Sequence, residues 1–100
     1  MLPRDALMKF IWHQTKARTN LKKHQVTFDE AATVFADPLS FVFADLDHSE
    51  DEERFLIIGR SETAKILVVS HTDREYKTRI ISAREATRKE RIFYEENCTG

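Results

Sequence analysis

One hundred residues with 41% apolar content suffice for one layer of helices packed on a sheet and leave little room for a second core. Charged side chains make up 33% of the chain, yet the net charge is only −1, so bulk charge announces no nucleic-acid or membrane partner. The lone cysteine, Cys98, excludes an internal disulfide framework, and no Cys/His spacing fits a zinc site, a pattern that suits a reducing cytoplasm.

The first fourteen residues hold no signal-like apolar stretch, because Arg4, Asp5 and Lys9 interrupt them. No apolar run approaches the roughly 20 residues of a membrane span. The expectation is a cytoplasmic protein without a membrane partner.

Met8–Trp12 is a short apolar run that predicts a first strand. Gln14–His24 predicts a helix with a narrow apolar stripe (Ala17, Leu21) and a cationic surface. Lys16, Asn20 and Lys23 fall on one face of it. Thr27 with Glu30 matches a capping box for a second helix, Asp29–Phe35. Phe28, Ala31, Ala32 and Phe35 recur at helical spacing and should face the core. Pro38 ends that helix.

Ser40–Asp45 reads as a strand, Asp47–Glu52 as an acidic turn, and Arg54–Arg60 as the next strand. There Leu56 and Ile58 share a face with Arg54 and Arg60. Gly59 marks a bulge or a close approach. The apolar run Ile66–Val69 opens a strand to Thr72 that is covered on both faces. A polar turn leads to the strand Thr78–Arg84. Glu85–Asn97 predicts a closing helix whose first residues are cationic, against its own macrodipole. The whole predicts one α+β domain over 1–100, with a core over about 8–97. Its order is β-α-α-β-β-β-β-α, an antiparallel meander with helices packed on it.

Charge is segregated along the chain. Residues 1–28 carry six Lys/Arg against one Asp, 29–62 carry ten acids against two Arg, and 63–100 carry eight bases against six acids. If the fold joins the ends, one face becomes basic, as a nucleic-acid contact needs.

The order of short patterns resembles the BrnT family of bacterial type II toxins. Trp12, Lys16, Asn20, Lys23, His24, Val26, Phe28, Glu30 and Ala31 are similar to that family's W-x3-K-x3-N-x2-K-H-x-V-x-F-x-E-A signature. Further along come Glu53-Arg54, Ile58-Gly59, Val69 and His71-Thr72-x-Arg74. Arg79-Ile80-Ile81-Ser82-Ala83-Arg84 follows, with Ala86, Glu90 and Tyr94 on the last helix. Two departures show: His13 replaces an Asp, and Gln25 replaces the Gly that would give a left-handed helix cap.

The resemblance implies a RelE-like fold, a metal-independent endoribonuclease that inhibits translation, and no cofactor. It also implies a BrnA-like ribbon-helix-helix antitoxin, in a dimer or heterotetramer that reaches promoter DNA only through the complex. A non-catalytic nucleic-acid-binding module, or a decayed toxin that only binds its antitoxin, stays open.

Attack by an RNA 2′-hydroxyl needs proton transfer and cations aimed at a dianionic phosphorane. Arg74 and Arg79 are the first candidates to clamp phosphate, with Arg84 behind them. Strand parity puts Arg79 and Arg84 on opposite faces unless the strand bulges between them. His71 is the first acid/base candidate and His24 the second. Their structural alternatives are a surface or satisfied strand histidine for His71 and a helix-end histidine for His24. Lys16, Lys23, His24 and Arg88 are candidate RNA contacts. Tyr94 either stacks on a base or packs on the sheet.

Overall fold

The computed structural model describes residues 9–48 and 52–98. The proposed start of the first strand at Met8, and residues 49–51 of the acidic turn, lie outside them. The elements run β1 (Lys9–Trp12), α1 (Gln14–His24), α2 (Phe28–Thr33), β2 (Phe41–Ala44), β3 (Phe55–Arg60), β4 (Ile66–Arg74), β5 (Lys77–Glu85) and α3 (Arg88–Cys98). Short 3-10 turns cover Val34–Ala36 and Leu46–His48. The expected α+β order holds.

The strands form one sheet in the order β1-β5-β4-β3-β2. The β2–β3, β3–β4 and β4–β5 pairs are antiparallel, whereas β1 lies parallel to β5, with Ile11 opposite Arg79. The sheet is therefore mixed, not a pure antiparallel meander. A parallel neighbour needs a long crossover, and the chain supplies one by running through both N-terminal helices and three strands before β5. Aromatic packing holds β1 in that place. Phe10 meets Phe35 at 5.1 Å between ring centroids, and Trp12 meets Phe28 edge-on at 5.9 Å.

The apolar run of β4 is central because it feeds two cores. Leu67 and Val69 join Ile57, Ile80, Ala83 and the buried residues of α2 on one face. Val68 joins Ile58 and Tyr94 of α3 on the other. Gly59 permits the close approach between β3 and the turn after α2: a Cβ there would stand 2.9 Å from Val34 Cγ1.

Local chemistry sets the helix ends. Thr27 Oγ1 accepts the Glu30 N–H at 3.1 Å, which caps α2. Glu30 does not complete the box. Its carboxylate accepts from the Ser61 and Thr63 hydroxyls instead and ties α2 to the β3–β4 turn. A reciprocal box opens α3: Thr87 Oγ1 accepts from the Glu90 N–H, and Glu90 Oε1 accepts from the Thr87 N–H at 2.8 Å. The helix thus begins at Arg88, not Glu85, and β5 runs on to Glu85. At the end of α1, Gln25 sits at φ 60°, ψ 32° and its N–H donates to Leu21 O.

Candidate functional site

Register divides the site residues between the two faces of the sheet. His71 stands opposite Phe55 on β3 and Ile80 on β5. It is 2% exposed, packed edge-on against Phe35 at 4.8 Å and beside Phe55 at 5.9 Å. Burial pushes its imidazole below the usual histidine range, more than Asp73 and the Val69 carbonyl raise it. The expectation that His71 would join Arg74 and Arg79 at one reacting centre is therefore corrected. His71 belongs to the helix-covered core, and Arg79, opposite Thr72, belongs to the other face.

Arg79 and Arg84 share that other face. Ser70 pairs with Ser82 but His71 pairs with Ile80, so Ile81 is an extra residue in β5. The bulge resets the alternation between the two arginines, and the expected separation by parity does not occur. Their surroundings still differ. Arg84 grips Glu90 in a fork, Nη1 to Oε1 at 2.7 Å and Nη2 to Oε2 at 3.0 Å. The Arg84 hydrogen bond holds the Glu90 carboxyl down to about 2, and the same bond raises Arg84. Arg84 fastens the start of α3. Arg79 is half-buried.

Arg74 donates from Nη2 to Glu52 Oε2 at 2.7 Å. That hydrogen bond, then the charges of Arg74, Arg79 and Arg54, hold Glu52 below the usual carboxylate range. Tyr94 is 2% exposed, and its hydroxyl donates to Asp37 Oδ2. Asp37 also accepts from the Arg60 and Leu39 backbone N–H groups. Of its two readings, Tyr94 takes the packing one: it is too buried to stack on a base. Arg88 is exposed in the first turn of α3.

The remaining candidates converge. Lys16, Lys23 and His24 line one cleft of about 240 Å³ with Thr15, Thr19, Asn20, Ile81 and Ser82. Asn20 builds this cleft. Its Nδ2 donates to Ala83 O at 2.8 Å and to Val26 O at 3.0 Å, and its Oδ1 accepts from the Ala83 N–H at 2.9 Å. β1 pairs with β5 only as far as Ile80, so Asn20 satisfies the strand edge beyond it. The lysines one turn either side of Asn20 are thereby aimed at β5 beside Ser82. Sequence spacing put Lys16, Asn20 and Lys23 on one face but gave Asn20 no role; its anchoring depends on a strand 63 residues away. Sequence reasoning gives Glu52, Arg54, Thr72 and Ser82 no role of their own, although Arg54, Thr72 and Ser82 lie within the motifs that carry the family resemblance.

A family described as "Ribonuclease toxin, BrnT, of type II toxin-antitoxin system" matches residues 12–90. Among solved structures, the chain is similar to the crystal structure of the Brucella abortus ribonuclease toxin BrnT, with 25% identity and a TM-score of 0.62. The likeness covers 81% of this chain and 99% of that one. No curated protein matches.

Proposed function

The chain belongs to the BrnT family of ribonuclease toxins of type II toxin–antitoxin systems, and from that membership we propose that it is a metal-independent endoribonuclease working at the cleft between α1 and β5. The observation that carries this reading is the meeting of Lys16, Lys23 and His24 with Ile81 and Ser82, the stretch of β5 between Arg79 and Arg84.

In this reading the RNA 2′-oxygen attacks the adjacent phosphorus and loses its proton. The phosphorus–5′-oxygen bond breaks, the 5′-oxygen gains a proton, and a 2′,3′-cyclic phosphate remains. His24 is half-buried in the cleft, and an imidazole can both accept and give a proton, so His24 takes the place of His71 as the proton carrier. Lys16 and Lys23 meet the charge of the phosphorane. A BrnA-like ribbon-helix-helix antitoxin would neutralise the protein in the cytoplasm and carry the complex to promoter DNA. The pairing of Arg74 and Arg84 with carboxylates favours a second reading, a non-catalytic RNA-binding module.

Induction of the protein alone separates the two. The expected result is growth arrest and cleavage of RNA by the purified protein, leaving cyclic phosphate ends. Lys23→Ala and His24→Ala should each slow cleavage by about 10²–10³-fold, while His71→Phe remains active. Harmless induction with intact RNA sinks the enzyme and leaves the binding module. Co-purification with the product of an adjacent small reading frame tests the partner.

A further inference from the structure

The open part of the Arg79 face carries an arrangement that the cleft does not use. Phe55 is opposite His71, so the preceding residue, Arg54, adjoins Thr72, and Thr72 is opposite Arg79. The row Arg54–Thr72–Arg79 runs from the residue that enters β3 across β4 to β5, on the face away from His71. Arg74 lies two residues along β4 from Thr72 and shares its face. The charges of all three arginines reach one carboxylate on this face, that of Glu52.

Two details of this row point to a ligand. Thr72 is 1% exposed, and its Oγ1 has no hydrogen-bond partner among the described residues. Buried hydroxyls are ordinarily paired, and one left unpaired is destabilising. In addition, one carboxylate already sits among the arginines: Glu52 Oε2, 2.7 Å from Arg74 Nη2. Glu52 precedes β3 and is half-exposed, and its contact is a single ion pair at the surface, weakly held. A carboxylate and a phosphodiester present guanidinium with the same chemistry, two anionic oxygens that accept a fork. The phosphodiester is larger and adds oxygens that can reach a neighbouring hydroxyl.

We propose that Arg54, Arg74, Arg79 and Thr72 form a phosphodiester-binding subsite, which the Glu52 carboxylate occupies in the free protein and an RNA phosphate takes over. The proposal rests on the RNA substrate of the reading above and deepens it. The row lies on the face of β5 away from α1, so a strand of RNA held in the α1–β5 cleft reaches it round the edge of β5 that β1 leaves open beyond Ile80. Glu52 then sets a threshold: an isolated phosphate or a short nucleotide competes poorly with a tethered carboxylate, and a polyanion held at several points displaces it.

The test is binding of a fully 2′-deoxy oligonucleotide, which keeps the phosphates and cannot be cleaved by 2′-oxygen attack, measured by fluorescence anisotropy on the full chain. Glu52→Gln should tighten binding by about 3–10-fold. Glu62→Gln makes the same change in net charge beyond the far end of β3 and should have a much smaller effect. Arg54→Ala should weaken binding by about tenfold and reduce the salt dependence. Thr72→Val, close in shape, should weaken binding while its thermal midpoint stays level or rises.

Equal tightening by Glu52→Gln and Glu62→Gln, or no tightening by the first, overturns the proposal. Unchanged binding by Thr72→Val removes the hydroxyl from the subsite. RNA cleavage by wild type with an inert Glu52→Gln sinks the subsite alone. Tighter oligonucleotide binding by Glu52→Gln in a protein that cuts no RNA sinks the enzyme reading and keeps the subsite.

Discussion

Among single residues, Glu90 and His71 make opposite uses of burial and charge, and both leave a mark on acid stability. The Glu90 carboxyl lies at about 2 in the fold against an ordinary 4.5. Its contribution is therefore fully present above about pH 4.5 and is lost as pH falls towards 2. Side-chain exposures of 33% and 38% for Glu90 and Arg84 mean solvent screens the pair, so the contribution is about 1–2 kcal/mol and not the larger value the shift alone suggests. Glu90→Gln should lower the urea midpoint at pH 7 and flatten the acid limb between pH 4.5 and 2. His71 is also held below its ordinary 6.5, by burial, so its neutral form supports the fold above that pH and the support fades as pH drops below it. His71→Phe should remove this component, and His71→Ala should cost about 2–4 kcal/mol through the cavity it leaves. Unfolding curves at pH 7.5, 5.5 and 3.5 check both residues, and an unchanged profile for either variant refutes its assignment. That His71 is a core residue was not legible beforehand. His71 follows an apolar run, and only Phe35, distant in sequence, decides that its ring is enclosed.

Helix ends were readable where their chemistry is local, and strand partners were not. The bounds of α1 agree with the sequence because its stop is written in Gln25, a residue forced to φ 60°. Gln25→Gly should relieve that strain and raise stability by about 1 kcal/mol, read as a higher thermal midpoint; a lower midpoint would mean that the Gln side chain contributes more than its backbone costs. The capping box that opens α3 was missed because Glu85 and Ala86 also suit a helix, and the ladder with Leu67 keeps Glu85 in β5. The Ile81 bulge shows in no local pattern, since it exists only as a mismatch between two strands, yet it decides that Arg79 and Arg84 share a face. Asn20 is the clearest tertiary device. Asn20→Ala would strip three hydrogen bonds from buried backbone groups of Val26 and Ala83, at a cost of about 2–4 kcal/mol. It should also loosen α1 from β5. Amide exchange at Ala83 should then rise well above that of Ile80, and equal protection at both positions would show that β5 does not depend on Asn20.

Across the whole molecule, the segregation of charge along the chain becomes a segregation in space through β5. Basic α1 docks on β5, and β5 itself carries Lys77, Arg79 and Arg84, so the first and last thirds of the sequence meet there. The acidic middle supplies β2 and β3 at the far side of the sheet, and one of its carboxylates, Glu52, crosses to the arginine row. Net charge is −1, so in the proposed reading the attraction of RNA depends on this separation and not on the total. That has a measurable form. If Lys16, Lys23, Arg54, Arg74 and Arg79 each neutralise one phosphate of a single strand, log Kd should depend on log salt with a slope of about 3.5 in magnitude. Glu52 gives back part of this, because releasing it from Arg74 frees a charge inside the protein and not a counterion, so the wild-type slope should fall nearer 2.5–3. Lys16→Ala and Lys23→Ala should each lower it by about 0.7 with little change in thermal midpoint, both side chains being exposed. Glu52→Gln should raise it. Titrations of a 2′-deoxy oligonucleotide between 50 and 200 mM salt decide the matter. A slope near 1 that ignores the α1 lysines would mean that RNA touches the arginine row alone, and that the cleft beside Asn20 serves α1 packing and not the substrate.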